Sequence, residues 1–97
     1  MQQDLAEEIA TQGLGWLCGQ DDLLPVFLAA SGADLAGLRS ALAAPTGPDS
    51  GLLVAALDFI LMQDATVLDC AQAVQIAPDR VLMAHAVLSG QAGMHWT

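Results

Sequence analysis

The sequence predicts an all-α protein: a compact orthogonal bundle of about six short helices. Three observations carry that prediction. Pro, Gly and Asp divide the 97-residue chain into segments of helical length. No window alternates apolar and polar residues with period two for long enough to suggest a strand. The stretch Gly15–Ala43 is also echoed by Asp58–Leu88, with helix starts and apolar positions recurring in step.

The first helix runs from about Gln3 to Cys18, with Asp4, Glu7 and Glu8 in its first turns, where the helix macrodipole favours negative charge. Gly19 can end it in a left-handed conformation. Gly13 and Gly15 lie inside this helix and each costs about 1 kcal/mol relative to Ala. A close helix crossing, with the Trp16 ring beside it, accounts for both. Asp21 or Asp22 caps a second helix, and Pro25 falls in its first turn, where a missing N–H costs little. Ser31-Gly32 stops that helix. Asp34 caps a third, which reaches about Ala43 and is closed by Pro45.

After the loop "PTGPDSG", Pro48 or Asp49 opens a fourth helix to about Met62. This helix is apolar nearly all round, the pattern of a central helix. Asp64 caps a fifth that ends near Ile76, and Pro78 with Asp79 starts a sixth that Gly90 terminates. Residues 1–90 therefore read as one helical domain and 91–97 as a C-terminal tail. Short connections make neighbouring helices pack together around one core.

The echo aligns with a shift of 43, so that Leu14, Gln20, Asp21 and Ala30 meet Leu57, Gln63, Asp64 and Ala73. After two inserted residues, Asp34 meets Asp79 and Ala41 meets Ala86. Two related three-helix halves explain this, as does the punctuation that any six short helices share.

Composition bounds the function. Hydrophobic residues make up 55% of the chain, above the usual ~45–50%, so some apolar surface stays outside the core. Eleven acids face only Arg39 and Arg80, with no lysine, for a net charge of −9. Such a surface repels nucleic acid and anionic membrane and favours a partner carrying a basic patch. The longest apolar run, Gly51–Met62, is interrupted by Asp58 and falls well short of the ~20 residues of a membrane span. The N-terminal "MQQDLAEEIATQG" lacks the basic segment and apolar core of a signal peptide, so a cytoplasmic location is expected.

Few residues carry candidate chemistry. Cys18 and Cys70 are expected to be free thiols in a reducing compartment, and the repeat sets them opposite Leu61 and Phe27, in apolar slots where a thiol acts as a small hydrophobe. His85 and His95 add no ligand spacing to either thiol, so no metal site or cofactor is expected. Ser31, Ser40, Ser50 and Ser89 lie near helix ends or on polar faces, and no glycine-rich loop follows a strand, so no catalytic residues emerge and no enzyme is expected. The last two helices imitate a helix-turn-helix, but the second carries one arginine and one histidine behind an N-terminal Asp. Phosphate neutralisation needs several cations, so direct nucleic-acid binding is not expected.

Asp58 is the odd residue, placed inside "VAALDFILM". Burying a lone carboxylate is costly. Two readings stand: an internal pair with Arg39 or Arg80 that sets helix register, or a carboxylate at a groove edge awaiting a partner's donor. Met94, His95 and Trp96 close the chain, and a terminal Trp either folds back on the bundle or anchors another chain.

The stretches "GLGWLCGQDDLLPVFLAASGADLAGLR" and "VAALDFILMQDATVLDCAQAV", with the terminal "MHWT", resemble the bacterial domain-of-unknown-function family 3572. The resemblance implies a small helical cytoplasmic protein in regulatory company and brings no activity with it.

These residues point to a non-enzymatic protein-interaction module, with apolar surface ringed by acids and with Met94, His95, Trp96 and Asp58 as candidate contact residues. Trp16, Phe27, Phe59, Arg39 and Arg80 are given structural roles. A homodimer is the nearest variant, opposed by like-charge repulsion. One alternative is a small-molecule or lipid-binding bundle, with Trp16, Phe27, Phe59 and the methionines lining a cavity. Another is a transcription regulator that acts through a protein partner such as RNA polymerase or a response regulator.

Overall fold

Apolar residues spaced three and four apart make Gln3–Cys18 (α1) an amphipathic helix, with Ala6, Ile9, Ala10, Gly13, Leu14 and Leu17 as its buried stripe. The computed structural model describes residues 1–45 and 47–90, and five further helices follow: Leu24–Ser31 (α2), Leu35–Ala43 (α3), Ser50–Leu61 (α4), Asp64–Val74 (α5) and Pro78–Leu88 (α6). The architecture is the all-α bundle that the sequence predicts, with sharp turns of 92° between α2 and α3 and 119° between α4 and α5. Its radius of gyration is 12.7 Å, close to the ~12–12.5 Å expected of a packed domain of this length.

Two caps form as expected. Asp34 accepts a hydrogen bond from the Gly37 N–H at 2.7 Å, and Asp49 accepts from the Leu52 N–H at 2.8 Å. Three expectations at helix ends are corrected. Gly19 is right-handed (φ −90°, ψ 0°); its N–H reaches the Trp16 carbonyl three residues back, a tightened last turn that requires no positive φ. Neither Asp21 nor Asp22 caps α2. The chain already turns on the Gln20 carbonyl, which accepts from both Leu23 and Leu24, so these side chains precede the true cap, Leu23. Asp64 is the first residue inside α5 rather than its cap, a position held by Gln63 in extended conformation. Gln75 ends α5 in the left-handed region (φ 63°), while the Ile76 N–H bonds the Ala71 carbonyl. This closure usually takes a glycine.

Four helices hold the centre. α1 packs on α6, α4 and α5, and α4, α5 and α6 pack on one another. The outer helices each bury one side chain fully, Phe27 on α2, which leans on α4, and Leu38 on α3, with Leu24, Leu28 and Leu42 partly buried against the core. The two halves therefore share their helix order but not their packing, since α4–α6 close on themselves whereas α1–α3 do not. α4 occupies the middle as expected. However, it is not buried all round: Leu53, Ala56, Leu57 and Ile60 face inward and Asp58 faces solvent.

The close crossing predicted at the α1 glycines exists at one of them. A Cβ on Gly13 would lie 3.4 Å from Ile60 Cδ1 and 3.6 Å from Cys70 Sγ. Gly15 is exposed, with open space where its Cβ would stand. The two positions lie ~200° apart on the helix, so only one can face the contact.

Candidate functional site

Asp58 pairs with neither arginine. Its Oδ1 lies 2.5 Å from His85 Nε2 on α6, with the carboxylate side chain 63% exposed and the imidazole 16% exposed. Position 58 falls roughly 150° around α4 from the centre of its buried set, at 100° per residue. That angle explains why an acid tolerates an apolar run. Permanent cations alone point to Arg39 and Arg80 and leave His85 out; its signal in the sequence is its place one residue after buried Ala84, which sets it at the rim of the α4–α6 seam. Arg39 and Arg80 are exposed and form no ion pair among the described residues.

Phe27 and Phe59 meet edge to face, with ring centroids 5.5 Å apart and planes at 62°, a favoured aromatic geometry. Phe27 is buried and Phe59 partly so. Trp16 packs against the core from α1. Of the described methionines, Met62 (76% exposed) meets both rings at an open hollow, whereas Met83 (41% exposed) and Trp16 do not line it.

Both thiols sit in apolar surroundings, as expected. Cys70 is buried in the core, and loss of solvation pushes its pKa up to about 11. Cys18 is raised by the same cause, countered in part by the Arg39 charge. Such thiols are poor nucleophiles. No group of three His, Cys, Asp or Glu side chains gathers in a metal-binding arrangement among the described residues. Met94, His95 and Trp96 lie outside the described residues.

The four most exposed large apolar side chains, Val26, Met62, Leu68 and Leu82, line grooves, whereas Leu35 and Met83 stand apart from them. One groove lies where α2 meets α4: Phe27, Ala30, Ala55, Phe59 and Met62 line a hollow of about 190 Å³ with Asp58 and Ser31 at its edge. It adjoins a second hollow of about 250 Å³ that shares Phe59 and Met62 and adds Leu23, Val26, Gln63 and Thr66. A further groove lies across α5 and α6. It measures about 390 Å³ and is lined by Leu61, Val67, Leu68, Pro78 and Leu82 with Asp64 and Asp79. Sequence reasoning missed this groove. Its residues come from three helices, and the only hint was apolar side chains at Leu68 and Leu82 beyond those needed for the inward stripes.

A family model described as a protein of unknown function, DUF3572, matches residues 3–91. The chain belongs to the DUF3572 family. The match spans all six helices and both sets of grooves, whereas the terminal "MHWT" lies beyond it. No curated protein and no solved structure matches the chain. Among the described residues of this DUF3572 protein, no single helix is long and apolar enough to cross a membrane.

Proposed function

We propose that this DUF3572 protein is a non-enzymatic protein-interaction module that docks partners through apolar grooves edged by aspartate. One observation carries the reading: the four most exposed large apolar side chains fall in two places rather than being scattered. Val26 (55% exposed) and Met62 belong to the α2–α4 hollows, and Leu68 (56%) and Leu82 (57%) to the α5–α6 groove. Scattered apolar side chains are ordinary on any surface, but contiguous ones rimmed by polar groups mark contact sites. The carboxylates at the edges, Asp58 on one side and Asp64 with Asp79 on the other, select partners with basic groups at matching positions. A regulatory role, exerted through such a partner rather than on nucleic acid, suits a net charge of −9. Two free thiols suit a reducing compartment such as the cytoplasm.

The test is affinity capture from native lysate at low and at high ionic strength, using the wild type beside Met62→Ser and Leu82→Ser. A specific protein is retained at low salt by the wild type and lost with at least one variant. Retention of nothing specific at low salt, or equal retention by all three, refutes the reading.

A further inference from the structure

We propose that the α5–α6 groove receives the apolar stripe of an amphipathic helix flanked by Lys or Arg on a partner protein, an inference that rests on the interaction reading and gives it an occupant. The groove is aliphatic, with Leu61, Val67, Leu68, Pro78 and Leu82 along it and Asp64 and Asp79 exposed beside them. No cation lines it. Arg80 follows Asp79 directly in the chain, yet it lines the hollow on the α1 side with Leu5, Glu8 and Val74.

That charge distribution discriminates between occupants. In a two-fold dimer the same patch faces itself, so Asp64 and Asp79 of one copy would meet those of the other in a protein already at −9. A basic partner instead lowers the charge on both sides. The way peptides are recognised narrows the choice further. Strand addition requires a sheet edge, and the described residues contain no strand. Proline-rich segments require an aromatic-lined groove, and no aromatic among the described residues lines this one. Phosphopeptides require an arginine cluster. An aliphatic trough between helices is the surface that accepts a helix through apolar anchors at i, i+3, i+4 and i+7.

Two designed peptides of identical composition test this. One folds as a helix with a leucine stripe flanked by lysines, and the other scrambles the same residues so that no apolar face forms. A third keeps the stripe and replaces lysine with glutamate. The isotope-labelled full chain is titrated with each and followed by NMR. The lysine-flanked helix is expected to bind and to shift the resonances of Leu61, Leu68 and Leu82. Leu82→Ser weakens it by about tenfold, the scale of losing one interface anchor. Asp79→Lys weakens it at low salt and by less at high salt. Both positions are exposed, and thermal melts show whether each variant keeps the fold; Leu68→Ser substitutes for a variant that does not. Equal binding of the scrambled peptide, or affinity unchanged by Leu82→Ser and Asp79→Lys, overturns the proposal. Shifts confined to Val26, Phe59 and Met62 overturn this site and leave the interaction reading standing. If no peptide binds while lysate capture persists, the helical occupant is wrong; if capture fails too, the interaction reading falls with it.

Discussion

The two glycines inside α1 give the sharpest test of the packing, because they look alike in sequence and opposite in space. Replacing Gly15 with Ala places a methyl in open surroundings, where no atom lies within 4 Å of the ideal Cβ. The change then reads out as helix propensity alone, a stabilisation of about 1 kcal/mol. In a domain this size that raises Tm by roughly 4–8 °C. At Gly13 the same methyl meets Ile60 Cδ1 at 3.4 Å, Cys70 Sγ at 3.6 Å and Leu57 Cδ2 at 4.0 Å, so Ala fits with little rearrangement and is expected to be neutral to stabilising by about 1 kcal/mol. Valine is different. Its two γ-carbons reach about 1.5 Å further into the same three side chains, and overpacking of that kind costs about 1–3 kcal/mol. Chemical denaturation of Gly15→Ala, Gly13→Ala and Gly13→Val, with m-values compared to confirm two-state behaviour, gives the order Gly15→Ala at or above wild type and Gly13→Val well below it. A Gly15→Ala variant less stable than wild type, or a Gly13→Val variant unchanged, would refute the α1–α4–α5 crossing described here.

Three further outcomes follow from the same geometry. Asp34→Ala and Asp49→Ala each remove a side-chain cap and cost about 0.5–2 kcal/mol, whereas Asp64→Ala removes only a charge in the first turn of α5, worth about 0.3–1 kcal/mol; denaturant midpoints rank them. A double-mutant cycle with Asp58→Asn and His85→Gln is expected to give a coupling of about 0–1 kcal/mol that shrinks at high salt, because the carboxylate is 63% exposed; a coupling of several kcal/mol would place the pair in a drier setting than the structure gives it. Cys70 stays unreactive towards iodoacetamide in the native protein and Cys18 labels first. Because burial raises the Cys70 pKa to about 11, the unfolded thiol ionises before the folded one. Its contribution to stability is therefore complete below about pH 8.5–9 and is lost as pH climbs towards 11, and Cys70→Ala flattens that limb of the stability–pH curve.

The helix pattern was legible because punctuation is local. Asp34, Asp49, Pro25, Pro78 and Gly32 act within one turn of themselves, so each helix existed where the sequence placed it. Helix ends were less legible where the backbone offered its own solution, as at Gly19 and Gln75. Asp58 shows the limit most clearly. Its neighbours in the chain are apolar, yet its partner stands 27 residues away on another helix, and no local pattern encodes which side of α4 remains uncovered. The α5–α6 groove was foreshadowed only as an excess of hydrophobic residues, without an address.

Composition and periodicity by themselves determined a helical, acidic protein with more apolar side chains than one small core can hide. Only tertiary packing decided that α1, α4, α5 and α6 would share the centre, that α2 and α3 would ride outside on Phe27 and Leu38, and that the surplus would collect at Met62, Leu68 and Leu82. The reason is physical. Amphipathicity fixes which face of a helix avoids water, but the neighbour that covers it is chosen by the mutual fit of all six helices, a property no single segment contains.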